Sequence, residues 1–298
     1  MFGLLPLLFL PLSAETITLE RSVDDYWAVE DTTLNSRNAS EPGGGDSVLL
    51  GGPGRTILIQ FHDLERRLRG KKIVSAKLEL TITGGTPKIL AARKLTKGWS
   101  EGPMRVVAKG DPSARWAATW SSRRTGLERV PWQLEGARGS EDATRISGVT
   151  EEISSDTYTL SGLGAAFEEM RKRPYANHGI ALEFSESCEF LSSEATEGRP
   201  RLILDVEPLQ KEKNAPDLAV QLISRSPEYP RIQVGLTELD GFKIPDAPSN
   251  PTAKMWPDDN ENVTYTAVVV NRGTVASQPF EAIWGIRDRQ FRVVSVNE

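Results

Sequence analysis

The chain has 298 residues, with 36 Lys and Arg against 41 Asp and Glu, and a formal net charge of −5. This mild acidity argues against a nucleic-acid binder, which normally carries a basic face, and against a polybasic membrane anchor. A single cysteine, Cys188, excludes an intramolecular disulfide, and only two histidines make a metal site or a catalytic triad based on histidine hard to build. The length favours two domains, and 25 Gly with 19 Pro indicate many turns.

An apolar segment, FGLLPLLFLPL, occupies residues 2–12. It is shorter than the roughly 20 apolar residues that cross a bilayer, and it is typical of the apolar part of a secretory signal. We therefore predict a signal peptide over residues 1–14 and a location outside the cell or on a bacterial surface, since an exported chain without disulfides fits a bacterial envelope. The alternative is a buried first strand, which Pro6 and Pro11 disfavour. We expect no membrane span elsewhere.

Strand patterns dominate the next two hundred residues. Between Val74 and Ile82 every second side chain is apolar, which predicts a half-buried strand. Similar patterns predict further strands at residues 15–19, 55–61, 88–95, 156–160, 180–184 and 202–206. One amphipathic helix is predicted over Leu163 to Arg173, where Pro174 ends it. Many short strands with one helix predict a jelly-roll-type β-sandwich.

The remainder of the chain predicts a second all-β unit. Residues 208–215 are polar and flanked by proline, which indicates a linker between a first domain at 15–207 and a second at 216–298. Strands are predicted at 217–223, 262–270, 279–286 and 291–296. An immunoglobulin-like sandwich has about seven strands, so we expect a partial domain and a fragment of a longer chain. A small complete domain is the alternative.

Short strings in the first domain carry a family resemblance. They are, in chain order, RTILIQF (55–61), IVSAKLEL (73–80), WSEG (99–102), TW (119–120), NHGI (177–180), FLSSE (190–194) and RPRLIL (199–204). Together they resemble the DNRLRE domain, a secreted β-sandwich module related to the carbohydrate-binding modules of family 96. The resemblance implies a jelly-roll fold and polysaccharide binding. The stretch from Trp120 to Asp142 is longer than in the minimal module, and we expect it to form a loop that rims a binding face.

The second unit resembles the start of a CARDB-like domain, an immunoglobulin-like module of bacterial surface proteins. The similarity lies in PDLAV (216–220), VTYTAVVVNRGT (263–274) and PF (279–280). The later strands of that family are absent from this sequence. The resemblance implies a partial immunoglobulin-like β-sandwich in a protein of the cell surface.

Tryptophan and arginine are the candidate ligand-binding residues. Flat sugar faces stack on aromatic rings, and arginines favour anionic groups. The predicted set lies between positions 99 and 132 and consists of Trp99, Trp116, Trp120, Trp132, Arg115 and Arg123. Trp99 and Trp120 belong to the family strings, and packing in the sandwich is the alternative for them. Trp116 and Trp132 are predicted to be more exposed.

A structural calcium ion is the one cofactor considered, because jelly-roll modules that bind carbohydrate often hold one between the first and last strands. Asp24, Asp25 and Asp205 could supply the oxygen ligands. The sequence contains no twelve-residue calcium-binding loop of the EF-hand type.

Catalysis is not expected. A glycosidase needs two facing carboxyl groups, and no motif assigns such a pair among the candidates Glu101, Asp111, Glu183 and Glu194. The function predicted is a non-catalytic module of a larger envelope or secreted protein that binds polysaccharide. Two alternatives stay open. One is a structural or adhesive spacer with a protein partner, such as another surface protein, or with no ligand. The other is an enzyme that cleaves glycans.

Overall fold

The computed structural model describes residues 15–41, 43, 45–101, 117–124, 129–209, 218–226, 238–239, 242–243, 264–271, 275–277, 279, 284–287 and 293–297. In these ranges the chain is built mainly from antiparallel β-strands, with one α-helix longer than a single turn. The all-β sandwich predicted from the alternating sequence is confirmed. The predicted signal peptide lies outside the described residues.

The chain divides into two compact units, and the first contains the described residues from Glu15 to Leu209. Its strands are β1 (Glu15–Glu20), β2 (Val29–Asn35), β3 (Val48–Gly51), β4 (Arg55–Phe61), β5 (Lys71–Gly85), β6 (Ile89–Leu95), β7 (Ser122–Arg124), β8 (Val130–Pro131), β9 (Ala143–Arg145), β10 (Thr150–Ser154), β11 (Thr157–Ser161), β12 (Ile180–Phe184), β13 (Cys188–Leu191) and β14 (Arg201–Pro208). Its α-helices are α1 (Leu64–Arg67) and α2 (Gly164–Lys172), and 3-10 turns lie at Ser36–Asn38 and Pro174–Ala176.

Two antiparallel sheets form the sandwich. The first follows the order β1-β14-β5-β11-β10, and β13 extends it by pairing with both β5 and β3. The second follows the order β2-β4-β12-β6-β9, so β2 lies at its edge. The long strand β5 is central to the first sheet because it pairs with β14, β11 and β13.

Apolar residues of both sheets meet between them in what we call the inner cluster. It includes Ile57, Ile59, Leu78, Leu80, Tyr158, Phe184, Phe190 and Leu204. Since side chains alternate along a strand, the residues between Ile57 and Ile59 and between Ile180 and Leu182 point to the other face of the five-stranded sheet. There they join an outer cluster, which consists of Leu34, Leu58, Leu95, Trp99, Ala118, Trp120, Trp132, Ala137, Ala143 and Ala181.

Helix α2 packs on strand β5 and buries the apolar stripe Ala166, Phe167 and Met170 in the inner cluster. Its bounds agree to within one residue with the helix predicted from the sequence. Pro174 follows directly and starts a 3-10 turn, because a proline ring cannot continue the α-helical hydrogen bonding.

The second compact unit lies within residues 210–281. Its described strands form two antiparallel pairs, β15 (Leu218–Ser226) with β18 (Thr264–Asn271) and β16 (Glu238–Leu239) with β17 (Phe242–Lys243). The hairpin of β19 (Trp284–Arg287) and β20 (Val293–Asn297) belongs to the first unit. The domain predicted at 216–298 includes this hairpin and stays a prediction. The predicted linker at 208–215 lies mostly outside the described residues.

Candidate functional site

Three of the four tryptophans that we predicted to contact a sugar are buried. Trp99, Trp120 and Trp132 are exposed by 6%, 5% and 5% and belong to the outer cluster. The indole N–H of Trp99 donates to the backbone carbonyl of His178 at 2.9 Å, and that of Trp132 donates to the carbonyl of Thr119 at 2.9 Å. Rings at this exposure have no free face for a sugar. The expectation of an exposed ring is therefore corrected for Trp132, whereas Trp99 and Trp120 pack in the protein, which was the alternative considered for them.

Trp120 shows how completely these rings are enclosed. A Cβ atom at Gly136 would lie 2.7 Å from the Trp120 ring, so the chain passes directly against the indole there. The guanidinium of Arg138 lies 4.8 Å from the ring centroid, and the indole N–H donates to Glu135 at 3.2 Å. The segment after Trp120, which was predicted to rim a binding face, here covers the outer side of the five-stranded sheet.

The predicted arginines have different outcomes. Arg123 donates from Nη1 to the backbone carbonyl of Gly98 at 3.2 Å, beside the buried Trp99. Partial burial, together with the neighbouring charge of Arg124, lowers the pKa of Arg123. Arg115 and Trp116 lie outside the described residues, so their predicted role stays a prediction.

The three aspartates predicted to bind calcium lie in two different elements, a loop and a strand. Asp24 and Asp25 lie in the loop between β1 and β2 and have left-handed backbones, with φ of 49° and 56°. Their backbone carbonyls accept from the Arg67 guanidinium at 3.0 and 2.7 Å. Their side chains are exposed.

Asp205 lies on β14 and is engaged with its neighbouring strands. Its two carboxylate oxygens accept from the hydroxyls of Thr16 at 2.8 Å and Ser75 at 2.6 Å. These hydrogen bonds lower the pKa of Asp205. The structure does not bring the three predicted aspartates into one group of ligands.

A different group of carboxylates does come together. Among the described residues, the one set of three or more potential ligand side chains with oxygens within 4.8 Å of one another is Asp31, Glu101 and Glu194. Asp31 lies on the edge strand β2, Glu101 lies in the connection after β6, and Glu194 follows β13. Glu101 and Glu194 were two of the four carboxylates considered for a glycosidase pair, whereas Asp31 was not considered. We call this set the acidic triad.

Backbone amides and one arginine hold the acidic triad in place. Asp31 Oδ2 accepts from the amide of Ser193 at 2.7 Å, and Glu101 Oε1 accepts from the amide of Gly45 at 3.1 Å. Glu194 forms an ion pair with Arg21, which also donates to the Ser193 hydroxyl at 3.1 Å. The hydroxyl of Ser193 in turn donates to Glu194 at 3.1 Å. The turn that follows β13 therefore aims several oxygen atoms at the edge of the five-stranded sheet.

The surroundings of the acidic triad disfavour negative charge. Asp31 is 1% exposed and Glu101 8% exposed. Burial, with repulsion from Glu194, raises the pKa of Asp31 well above its usual value. Burial, with repulsion from Asp31 and Glu194, does the same for the pKa of Glu101. Such carboxyl groups either hold protons or need a further positive charge beside them.

An exposed indole lies elsewhere in the first unit. Trp27, in the loop between β1 and β2, is 55% exposed, unlike the three buried tryptophans. The preceding residue, Tyr26, is 2% exposed and anchors this loop. Its hydroxyl donates to the backbone carbonyls of Ala28 at 3.1 Å and of His62 at 2.9 Å.

Further contacts fix the backbone around Trp27. The guanidinium of Arg67 lies 5.3 Å from the centre of the Tyr26 ring while it binds the carbonyls of Asp24 and Asp25. Ser22 shares the left-handed conformation of these aspartates, with φ of 71°. A non-glycine residue costs energy in this region, so three of them in one loop require support from their surroundings. The loop is therefore a shaped element that presents an indole to solvent.

Neither Trp27 nor Asp31 was predicted from the sequence as a site residue. A sequence pattern could have indicated Trp27, since VDDYW at 23–27 places an aromatic pair directly after two aspartates. Asp31 offered no signal, because it lies in a strand whose burial the sequence did not reveal.

No family model, no curated protein and no solved structure matches this chain. None of the helices in the described part of the chain has the length and apolar character that crossing a membrane requires.

Proposed function

We propose that this chain is a non-catalytic module that binds polysaccharide outside the cell, with Trp27 as the ring on which a sugar stacks. The observation that carries this proposal is the 55% exposure of Trp27 in a loop held by Tyr26 and Arg67. The loop holds Ser22, Asp24 and Asp25 in a costly left-handed conformation, and such strained backbone is common at binding sites. A rigid loop presents the indole with little loss of entropy on binding.

The chemistry of the loop fits a sugar ligand. An indole offers a flat apolar surface to the C–H face of a pyranose, and nearby polar groups can bind the hydroxyls. Asp24 and Asp25, in the same loop, are exposed and offer carboxylate oxygens as acceptors. Because Arg67 already fixes their backbone, little conformational entropy is lost on binding.

The resemblance to DNRLRE modules supports the same function. The strings that carry it, from RTILIQF at 55–61 to RPRLIL at 199–204, fall on strands of the sandwich or on the segments that join them. A shared fold does not by itself establish a ligand, so the proposal depends on the loop and not on the family. Export by a signal peptide at residues 1–14 and a place at the bacterial surface are parts of this proposal.

A structural or adhesive spacer is the second candidate function. The burial of Trp99, Trp120 and Trp132 favours it, because it removes most of the aromatic surface that the sequence had offered for a sugar. In a spacer, Trp27 would contact another protein or nothing, and no polysaccharide would be retained.

The test compares the full chain with Trp27→Ala in pull-downs on insoluble polysaccharides and in affinity electrophoresis on soluble ones, neutral and anionic. Leu90→Ala is the matched control, since Leu90 is 58% exposed on β6, outside the loop that carries Trp27. Loss of a stacking aromatic is expected to weaken binding about tenfold or more, which corresponds to at least about 1.4 kcal/mol. The control should bind as the unaltered chain does.

Two results would contradict the proposal. If the full chain is retained on no polysaccharide, the spacer function is favoured. If Trp27→Ala and Leu90→Ala bind equally well, the loop is not the binding surface. Both substitutions lie at exposed positions, so equal melting temperatures should confirm that each variant folds.

A further inference from the structure

The acidic triad unites parts of the chain that lie far apart in the sequence. Asp31, Glu101 and Glu194 come from an edge strand and two separate connections, and their oxygens lie within 4.8 Å of one another. Three carboxylates at this separation repel one another strongly where water is excluded. A folded chain keeps such an arrangement only if something compensates the charge.

One oxygen of the triad has no partner among the residues that the structure describes. Asp31 Oδ2 accepts from the Ser193 amide, whereas Asp31 Oδ1 is buried and forms no hydrogen bond with any of those residues. A buried acceptor without a partner costs about 1–3 kcal/mol, so most such atoms in folded proteins are bonded to protein, water or an ion. This unpaired oxygen is a second observation, independent of the clustering, and it indicates that a ligand belongs beside Asp31.

The charges identify the kind of ligand. Three carboxylates carry −3 when ionised, and Arg21, paired with Glu194, contributes +1. The balance of −2 matches one divalent cation. All the potential ligand atoms of the triad are oxygens. The hydroxyl of Ser193, 3.1 Å from Glu194, offers a further oxygen beside them. Calcium prefers oxygen ligands at about 2.3–2.6 Å, so two ligands on one ion lie at most about 5.2 Å apart. The triad oxygens all lie within 4.8 Å of one another, which allows them to share one such ion.

We propose that Asp31, Glu101 and Glu194 bind one calcium ion, which joins strand β2 to the connection after β6 and to the turn after β13. Magnesium is a poorer match, because it demands near-ideal octahedral geometry and keeps several waters, whereas calcium accepts irregular groups of protein oxygens. The ion would neutralise the triad and pair the free oxygen of Asp31. None of the three proposed ligands lies in the Trp27 loop, although Arg21 of that loop pairs with Glu194, and this proposal does not depend on polysaccharide binding.

The experiment uses the full chain after removal of metal by a chelating resin, at pH 7.5. Calcium chloride is titrated by isothermal calorimetry, and the melting temperature is recorded with calcium, with magnesium at the same concentration and with chelator. One bound calcium per chain is expected. At a free calcium concentration 100 times Kd, the melting temperature should rise by about 5–10 °C for a unit of this size. Magnesium should raise it much less.

Three variants locate the site. Asp31→Asn keeps the shape of the side chain but removes its charge, and it should weaken calcium binding at least tenfold. Glu101→Gln should do the same, and it serves if Asp31→Asn does not fold. Asp205→Asn is the matched control, because Asp205 is a half-buried aspartate held by two hydroxyls outside the triad, and it should leave calcium binding unchanged.

The results separate calcium from protons. If the triad is neutralised by bound protons alone, the metal-free chain will show no heat on titration and no rise in melting temperature, and the proposal fails. Calcium binding that survives in both Asp31→Asn and Glu101→Gln also overturns it. An equal response to magnesium would overturn the choice of calcium. None of these results bears on Trp27→Ala, so failure here is distinguishable from failure of the proposed polysaccharide binding.

Discussion

The two faces of the five-stranded sheet are covered in different ways. Its inner face packs on a second sheet, where Tyr158, Phe184 and Phe190 form a group with ring centroids 5.3–5.6 Å apart. A covering sheet satisfies its own backbone hydrogen bonds, so its side chains are free to be apolar.

The outer face is covered by chain with little regular structure. The described residues between β6 and β9 bring three tryptophans to it, together with the short strands β7 and β8. Irregular chain leaves backbone groups without strand partners, and burial makes these groups costly unless side chains bind them. Asp142 accepts from the amides of Gln133 and Leu134 at 2.9 and 3.0 Å. The comparison teaches that the inner cluster depends on shape, whereas the outer one depends also on particular hydrogen bonds.

The largest effect is expected from the inner face. Phe190→Ala should lower the free energy of unfolding by about 3–5 kcal/mol, because Phe190 is fully buried and the two neighbouring rings cannot fill the cavity. Chemical denaturation measures this value. Val74→Ala is the control, since Val74 is 52% exposed on β5, and it should cost less than about 0.5 kcal/mol. A loss below about 1.5 kcal/mol for Phe190→Ala would contradict the picture of a tightly packed inner face.

On the outer face the predicted sensitivity lies in a polar residue. Asp142→Ala should cost roughly 1–3 kcal/mol, because the buried Asp142 carboxylate is the acceptor for two part-buried amides, although almost no apolar area is removed. Glu141→Ala, at the exposed neighbouring position, serves as the control in the same denaturation experiment. Equal stability of these two variants would remove the distinction between the faces.

The smallest expected effect concerns pH. Burial, followed by repulsion from Arg123, His62, Lys97 and Arg124, lowers the pKa of His178 from 6.5 to about 4. His178 therefore binds a proton more tightly in the unfolded chain than in the folded chain. The contribution of His178 to stability is complete above about pH 6.5 and is lost as the pH falls towards 4, by roughly 2 kcal/mol after allowance for its partial exposure.

His178→Gln tests this pH dependence, because glutamine does not titrate. Free energies of unfolding measured from pH 7 to pH 4 should fall less steeply for His178→Gln than for the unaltered chain. Carboxylates that titrate in the same pH range contribute equally to both chains. The difference between the two slopes of unfolding free energy against pH therefore reports His178. Identical slopes would show that His178 is protonated as easily in the folded chain as in the unfolded one.

Strand β2 illustrates why the sequence did not predict the burial of polar side chains. Its sequence, VEDTTLN, is mostly polar and shows no alternation, yet its first six residues are buried. Glu30 reaches His62 at 3.1 Å, Asp31 joins the acidic triad, and the Thr33 hydroxyl accepts from the amide of Leu50 at 2.8 Å. Polar side chains are buried when partners from distant parts of the chain are present, and a local pattern contains no information about those partners.

The sequence by itself determined the elements whose burial follows a local period. The strand at Val74–Ile82, found as β5 at Lys71–Gly85, and the helix at 163–173, found as α2 at Gly164–Lys172, follow from the spacing of apolar residues alone. Together such elements were sufficient to predict an all-β sandwich. Only the tertiary structure decided which tryptophan faces water and which carboxylates meet. An indole suits both a core and a surface, and a carboxylate cluster exists only once three distant segments have folded together.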